Sequence, residues 1–137
     1  MKLTHLSALA TALVLSFGQA SGQTVNVNSA TLMEPDAKTG EVSTDELRRV
    51  LADGTAIVID ARARAEFEAG HIPGAHLVDA SAGEQVAAVE RLVNGNKAAA
   101  LVVYCNGPFC QASRRLADLL SASGFKNVKR YQLGMPV

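Results

Sequence analysis

Two cysteines five residues apart are the side chains of this chain best suited to covalent chemistry. They are Cys105 and Cys110, and a Gly107-Pro108 pair between them favours a tightly curled loop. Backbone N–H groups of such a loop, together with the N-terminus of a following helix, can form a site for an anion. The resulting positive field lowers the pKa of a thiol and favours the nucleophilic thiolate. We therefore predict that Cys105 is a sulfur nucleophile with a lowered pKa.

The same pair of cysteines also fits redox chemistry. In an oxidising compartment, two thiols on one short loop can form a disulfide, so a thiol-redox or non-catalytic sulfur-binding module remains an alternative. Two thiols without further well-placed ligands do not complete a tetrahedral metal site. We therefore predict neither a metal site nor a cofactor.

Two buried strands are expected to position the reactive residues. Residues 99–104 and 56–59 are short, continuous apolar runs, which are typical of parallel strands covered on both faces. Cys105 follows the first run and Asp60 follows the second. Ligands of parallel sheets bind beyond the carboxyl ends of the strands, so we expect Asp60 and Cys105 at the same edge.

The remaining pattern alternates helices with weaker strands. We predict helices at about 43–52, 66–69, 84–93 and 112–123, and further strands near 25–27, 76–78 and 128–131. Ser43 and Glu46 have the spacing of a capping box, which would begin the first helix. This alternation predicts an α/β fold with a parallel sheet.

The motifs around both strands resemble those of the rhodanese family over about residues 43–134. The first motif is Ile59-Asp60-Ala61-Arg62 followed by Glu66-Phe67-Glu68-Ala69-Gly70-His71-Ile72-Pro73-Gly74-Ala75, and the second is Val102-Val103-Tyr104-Cys105-Asn106-Gly107. The resemblance implies a five-stranded parallel sheet with helices on both faces. It also implies a sulfurtransferase that moves sulfane sulfur from thiosulfate or a persulfide donor to a thiol or cyanide through a Cys105 persulfide.

The motifs and the loop together give a set of candidate site residues. Cys105 is the catalytic candidate. Asp60 is expected to hydrogen-bond the loop backbone and His71 to fix a nearby turn, both in supporting roles. The substrate-binding candidates are Asn106, Gly107, Pro108, Phe109, Cys110, Gln111, Arg114 and Arg62.

The loop departs from the family pattern where a positive charge is usual. Many relatives carry a basic residue at its sixth position, which is Cys110 here, and the interval from Cys105 to Gly124 is longer than usual. Rhodanese-like phosphatases and arsenate reductases need an Arg six residues after the cysteine to clamp an oxyanion. Gln111 stands there, which argues against that class. Arg114 or Arg115 is expected to supply the charge, but at about 100° apart they cannot both face the site.

The first residues have the pattern of an export signal. Lys2 precedes the 12 apolar or small residues 6–17, and small residues follow at Gly18 and Ala20. A membrane span needs ~20 apolar residues, so we expect cleavage after residue 20 and no membrane association afterwards. The resulting organisation is a signal peptide at 1–20, a mobile arm at 21–42 and a rhodanese-like domain at 43–137. The predicted localisation is periplasmic or secreted.

Charge provides no reason to expect a nucleic-acid partner. The 137-residue chain has 13 basic and 13 acidic residues, and removing Lys2 with the signal leaves a formal charge of −1. The expected partners are small sulfur donors and thiol acceptors, with a periplasmic protein as a further candidate acceptor.

Overall fold

A computed structural model describes residues 26–135, so the predicted signal peptide and the start of the predicted arm lie outside the described residues. Within this range no helix is long and apolar enough to span a membrane. The elements, in chain order, are a 3-10 helix (Val27–Ser29), β1 (Gly40–Glu41), α1 (Thr44–Asp53), β2 (Ile57–Asp60), α2 (Arg64–Ala69), β3 (His76–Leu77), α3 (Gln85–Leu92), β4 (Ala100–Tyr104), α4 (Ala112–Ala122) and β5 (Asn127–Tyr131).

The five strands form one parallel sheet in the order β1-β5-β4-β2-β3. This confirms the predicted five-stranded α/β architecture. Tyr104 at the end of β4 is in register with Asp60 on one side and Tyr131 on the other. The carboxyl ends of the three central strands are therefore level, and the residues that follow them share one edge.

Successive residues of the central strands point to opposite faces, and each face carries its own core. Ile59 and Val103 pack with side chains from α3 and α4, such as Val89 and Leu116. The other core contains Val58, Val102, Tyr104 and Leu47 of α1. Burial on both faces explains why β2 and β4 read as continuous apolar runs.

The first strand and the segment before it differ from the prediction. A strand was expected near residues 25–27, but Val27 begins a 3-10 helix, because the Asn26 side chain accepts a hydrogen bond from the N–H of Asn28 at 3.0 Å. The edge strand is β1 instead. It lies just before Ser43, whose Oγ accepts the N–H of Glu46 at 3.2 Å and caps α1. The predicted capping box is only half formed, because the Glu46 carboxylate pairs with Lys129 at 2.9 Å instead of returning to the Ser43 N–H.

The described part of the predicted mobile arm makes specific contacts with the domain. The side chains of Asn26 and Ser29 donate hydrogen bonds to Asp45 in α1, at 3.2 and 3.0 Å. Further along, the carboxylate of Glu34 forms an ion pair with Arg130 in β5. These contacts attach residues 26–42 to both α1 and the sheet.

Candidate active site

Cys105 lies immediately after β4, with its side chain turned towards the start of α4. The residue is buried, with 1% of its surface exposed. Its Sγ lies 3.1 Å from the Oγ of Ser113 and accepts the Ser113 N–H at 3.4 Å. Ser113 belongs to the first turn of α4, so the sulfur sits at a helix N-terminus, where a negative charge is favoured.

Burial nevertheless has the largest effect on the pKa of Cys105. It raises the pKa of the thiol, as does the neighbouring Cys110, and the hydrogen bonds from Ser113 lower it by less. The expectation of a lowered pKa for Cys105 is therefore wrong for the free thiol. The reason is that the prediction considered the positive field of the loop and omitted the cost of removing a thiolate from water.

Cys110 occupies the loop in a way that the sequence did not indicate. It is half-buried, and its N–H donates to the carbonyl oxygen of Gly107 at 3.0 Å, which turns the loop back towards Cys105. Burial raises the pKa of Cys110, but hydrogen bonding with Cys105 and with the backbone N–H groups of Asn106 and Ala112 outweighs it, so the net pKa is lowered. Apart from the Ser113 N–H, the backbone donors expected to serve Cys105 thus act on Cys110.

A buried ion pair forms the floor beneath the loop. One oxygen of Asp60 accepts the backbone N–H and Nε of Arg62 at 2.9 and 3.0 Å, and the other accepts Arg62 Nη2 at 2.7 Å. The hydroxyl of Tyr104 also donates to Asp60, at 2.5 Å. Burial, followed by this hydrogen bond, raises the pKa of Tyr104 to about 12, so the phenol remains a donor at neutral pH.

Arg62 does not have the substrate-binding position predicted for it. Only 3% of the residue is exposed, and Nη2 also donates to the carbonyl oxygen of Gly70 at 2.6 Å. Its Nη1 lies 3.5 Å from the side-chain oxygen of Asn106. A buried guanidinium needs a partner for its charge, and Asp60 provides it, so Arg62 is held under the loop and away from a ligand.

Asn106 and His71 fasten the surroundings of the loop to α2. Asn106 Nδ2 donates to Glu66 at 2.5 Å, which fixes the first residue after Cys105. The His71 ring stacks on Phe67 with 3.8 Å between centroids, and its Nδ1 lies 2.9 Å from the Phe67 carbonyl oxygen. The two His71 contacts hold the turn after α2 against the helix.

The outer part of the loop is exposed, whereas Arg114 is held by the segment before β1. Pro108, Phe109 and Gln111 are exposed, and Phe109 is 97% exposed at the tip, whereas Gly107 is buried. Arg114 was expected to contact substrate, but its guanidinium pairs with Glu34 at 3.2 Å and donates to the Asp36 carbonyl oxygen at 3.2 Å. Glu34 and Asp36, in the segment before β1, therefore occupy the guanidinium that was expected to bind substrate.

A second buried arginine, not predicted from the sequence, lies behind Ser113. Arg130 of β5 is 2% exposed, and its Nη2 lies 3.5 Å from Ser113 Oγ. Glu34 neutralises it and also accepts Gln132 Nε2 at 3.1 Å. The sequence spacing carries a signal for this burial, because Arg130 is two residues after buried Val128 and therefore faces the same side of β5.

The end of the described chain braces the base of the loop. The N–H of Met135 donates to the carbonyl oxygen of Cys105 at 2.9 Å. Gly134 has a φ of +62°, and a Cβ there would lie 2.2 Å from the same carbonyl oxygen. This close approach explains a glycine at the position. Among residues 26–135, no group of three or more His, Cys, Asp or Glu side chains is placed to hold a metal.

Comparison with known proteins identifies the same domain type. A family model described as a rhodanese-like domain matches residues 43–137. The structure is similar to the human single-domain sulfurtransferase TSTD1, with 28% identity and a TM-score of 0.58 over 70% of this chain and 91% of that one. It is also similar to a thiosulfate sulfurtransferase from Pseudomonas aeruginosa, with 25% identity and a TM-score of 0.59, over 70% of this chain but only 18% of that one. No curated protein sequence matches the chain.

Proposed function

This chain belongs to the rhodanese-like domain family, and from that premise we propose that it is a sulfurtransferase whose sulfur carrier is Cys105. The observation that carries the proposal is the placement of the Cys105 sulfur between β4 and α4. There it accepts the Ser113 N–H and contacts the Ser113 hydroxyl. The similarity to TSTD1 supports the general activity of sulfur transfer.

The proposed reaction has two displacement steps at sulfur. The Cys105 thiolate attacks the sulfane sulfur of thiosulfate or of a persulfide donor, and the donor's S–S bond breaks to release sulfite or a thiolate. A thiol or cyanide then attacks the outer sulfur of the Cys105 persulfide, and Cys105 leaves as a thiolate. Ser113 can donate two hydrogen bonds to that thiolate, which offsets part of its burial.

The charges around the loop favour a persulfide donor over thiosulfate. Arg62 is paired with Asp60, while Arg114 and Arg130 are both paired with Glu34. To gain one of these three guanidiniums, a dianion would have to displace a carboxylate, whereas a singly charged persulfide can be bound by loop N–H groups alone. We therefore expect faster loading of Cys105 from a small persulfide than from thiosulfate at equal concentration.

The decisive experiment combines intact mass measurement with a Cys105→Ser variant. Cys110→Ser, which lacks the second thiol of the loop, should gain one sulfur atom on Cys105 from the donor and lose it to cyanide. Cys105→Ser also lacks one loop thiol, and it is the matched comparison that should gain none. Undiminished loading and transfer in Cys105→Ser, with an unchanged unfolding midpoint, would contradict the proposal.

A thiol-redox or sulfur-binding module is the second candidate, and the contact between the two cysteines favours it. Cys105 donates to the carbonyl oxygen of Cys110 at 3.3 Å, and both residues are free thiols. On this alternative, mild oxidation would remove two hydrogen atoms from the parent, and sulfur donors would add no cyanide-removable sulfur to Cys110→Ser.

We also propose that the protein is exported to the periplasm or secreted. The support is the apolar run at 6–17 after Lys2 and the small residues Gly18 and Ala20. N-terminal sequencing of the protein from its native host should begin after residue 20. A sequence that begins at Met1 would contradict this localisation.

A further inference from the structure

The loop brings the backbone of its second cysteine into contact with the sulfur of the first. The carbonyl oxygen of Cys110 lies 3.3 Å from Cys105 Sγ, and the Gly107–Cys110 turn keeps it there. The two side chains also interact with each other, because hydrogen bonding with Cys105 lowers the pKa of Cys110. A disulfide requires Cα atoms within about 7 Å and the two sulfurs turned towards each other, so its formation would need the loop to bring the sulfurs into bonding distance.

The two sulfurs differ in ways that assign them different roles. Cys105 is buried, while Cys110 is half-buried. Burial raises the pKa of Cys110, but a hydrogen bond with Cys105, followed by the backbone N–H groups of Asn106 and Ala112, lowers it by more. At neutral pH Cys110 is thus the more readily ionised of the two, and the better placed to act as an internal nucleophile.

A persulfide on Cys105 offers this nucleophile two sulfur atoms. Attack on the outer sulfur would expel the Cys105 thiolate, whereas attack on the inner sulfur would expel HS⁻. Thiol–disulfide exchange is faster when the leaving sulfur has the lower pKa. Burial raises the pKa of Cys105, which makes its thiolate the poorer leaving group. Attack on the inner sulfur is therefore favoured.

Building on the proposed sulfurtransferase function, we propose that Cys110 is a second catalytic nucleophile, which releases the sulfur carried by Cys105 as hydrogen sulfide. The Cys110 thiolate forms a bond with Cys105 Sγ, and the bond between Cys105 Sγ and the outer sulfur breaks. The outer sulfur leaves as HS⁻ with its own proton. It is reduced to sulfide, the Cys110 sulfur is oxidised, and Cys105 Sγ keeps its oxidation state as the persulfide bond is replaced by the disulfide bond. A dithiol reductant, attacking the more accessible Cys110 sulfur, restores both thiols.

The test is a single turnover in the absence of reductant. Reduced protein is treated with one equivalent of a persulfide donor, and free sulfide and the intact mass are measured. The parent should release one sulfide per chain and end two hydrogen atoms lighter than the reduced protein. Cys110→Ser should keep its added sulfur atom and release no sulfide. Ser121→Ala, an exposed change at the far end of α4, is the matched control and should behave like the parent.

The outcomes separate this inference from the function on which it rests. If the parent keeps its sulfur on Cys105 and transfers it to cyanide, the inference is wrong and the sulfurtransferase function stands. Transfer of the sulfur to Cys110, located by peptide mapping, would also overturn the inference. If neither the parent nor Cys110→Ser gains sulfur, the proposed function itself fails.

Discussion

At the scale of single residues, Ser113 is the residue whose hydrogen bonds lower the pKa of the Cys105 thiol. Its N–H and hydroxyl are the groups that lower the pKa of Cys105, against a burial that raises it. Its hydroxyl also lies 3.5 Å from the guanidinium of Arg130. Ser113 therefore connects the reactive sulfur to the buried charges behind it, although nothing in its own sequence position marks it as functional.

Replacing Ser113 with Ala should shift the reactivity of Cys105 to higher pH. One hydrogen bond to a charged group contributes about 1.5–3 kcal/mol, so we expect roughly a tenfold or larger loss in the alkylation rate near neutral pH. The measurement is the rate of Cys105 alkylation against pH, in a Cys110→Ser background. Ser113→Thr keeps a hydroxyl and should retain most of the rate. An unchanged pH profile in Ser113→Ala would show that this hydroxyl does not act on the thiolate.

The buried ion pair between Asp60 and Arg62 should contribute far more to the free energy of unfolding than an ion pair on the surface. In Asp60→Asn the buried guanidinium of Arg62 loses its counter-charge, and we expect the free energy of unfolding to fall by about 3–5 kcal/mol. Glu90→Gln removes the partner of Lys97, in a pair whose side chains are well exposed, and should cost less than about 1 kcal/mol. Urea unfolding of both variants gives the comparison. Equal losses would mean that the buried pair is not distinct from a surface pair.

At the scale of elements, the buried strands β2 and β4 were predicted from the sequence, whereas the short edge strand β1 was not. The apolar runs at β2 and β4 fix both strands to within a residue, because burial on two faces leaves no polar positions. β1 has only two residues, one of them glycine, so it shows no alternation. Arg62 was predicted to bind substrate, because its neighbour Asp60 alone does not reveal that Tyr104 and Gly70 will enclose the pair. Arg130 was not singled out, because its partner Glu34 is 96 residues away and becomes its neighbour only in the folded protein.

The close approach between the C-terminal segment and the Cys105 loop predicts a specific effect of adding one methyl group. In Gly134→Ala the new Cβ would lie 2.2 Å from the Cys105 carbonyl oxygen and 2.4 Å from the Gly107 nitrogen, so the loop must move. Gly95→Ala is the matched control, because Gly95 has a φ of +76° and no atom within 4 Å of an added Cβ. In this control the free energy of unfolding should fall only by the cost of placing alanine in a left-handed conformation, about 1–2 kcal/mol.

We expect Gly134→Ala to lose more stability than Gly95→Ala and, in addition, to load sulfur on Cys105 more slowly. Thermal unfolding and the rate of persulfide formation, measured on both variants, separate strain in general from displacement of the loop. Equal loading rates in the two variants would show that the brace at Gly134 does not position Cys105.

At the scale of the whole molecule, Glu34 connects three parts of the chain that lie far apart in sequence. Its carboxylate pairs with Arg130 of β5 and Arg114 of α4, and it accepts a hydrogen bond from Gln132. The segment before β1 is thereby joined to the sheet and to the helix that begins beside Cys105. A single glutamate in a polar stretch does not reveal this role, since the arginines that bind it come together only after folding.

This connection predicts how stability depends on pH. The hydrogen bond with Arg130, followed by the charges of Arg130 and Arg114, outweighs burial and lowers the pKa of Glu34 in the folded protein. Its stabilisation is therefore complete above the unfolded glutamate pKa of about 4.3, and it is lost as the pH falls through the lower folded pKa. Glu34→Gln should reduce the free energy of unfolding by about 2 kcal/mol near neutral pH. The difference from the parent should shrink below about pH 4. Urea unfolding across this range measures it, with the exposed Glu68→Gln as the control that should match the parent throughout. A difference between the parent and Glu34→Gln that stays constant with pH would show that the Glu34 charge does not stabilise the fold.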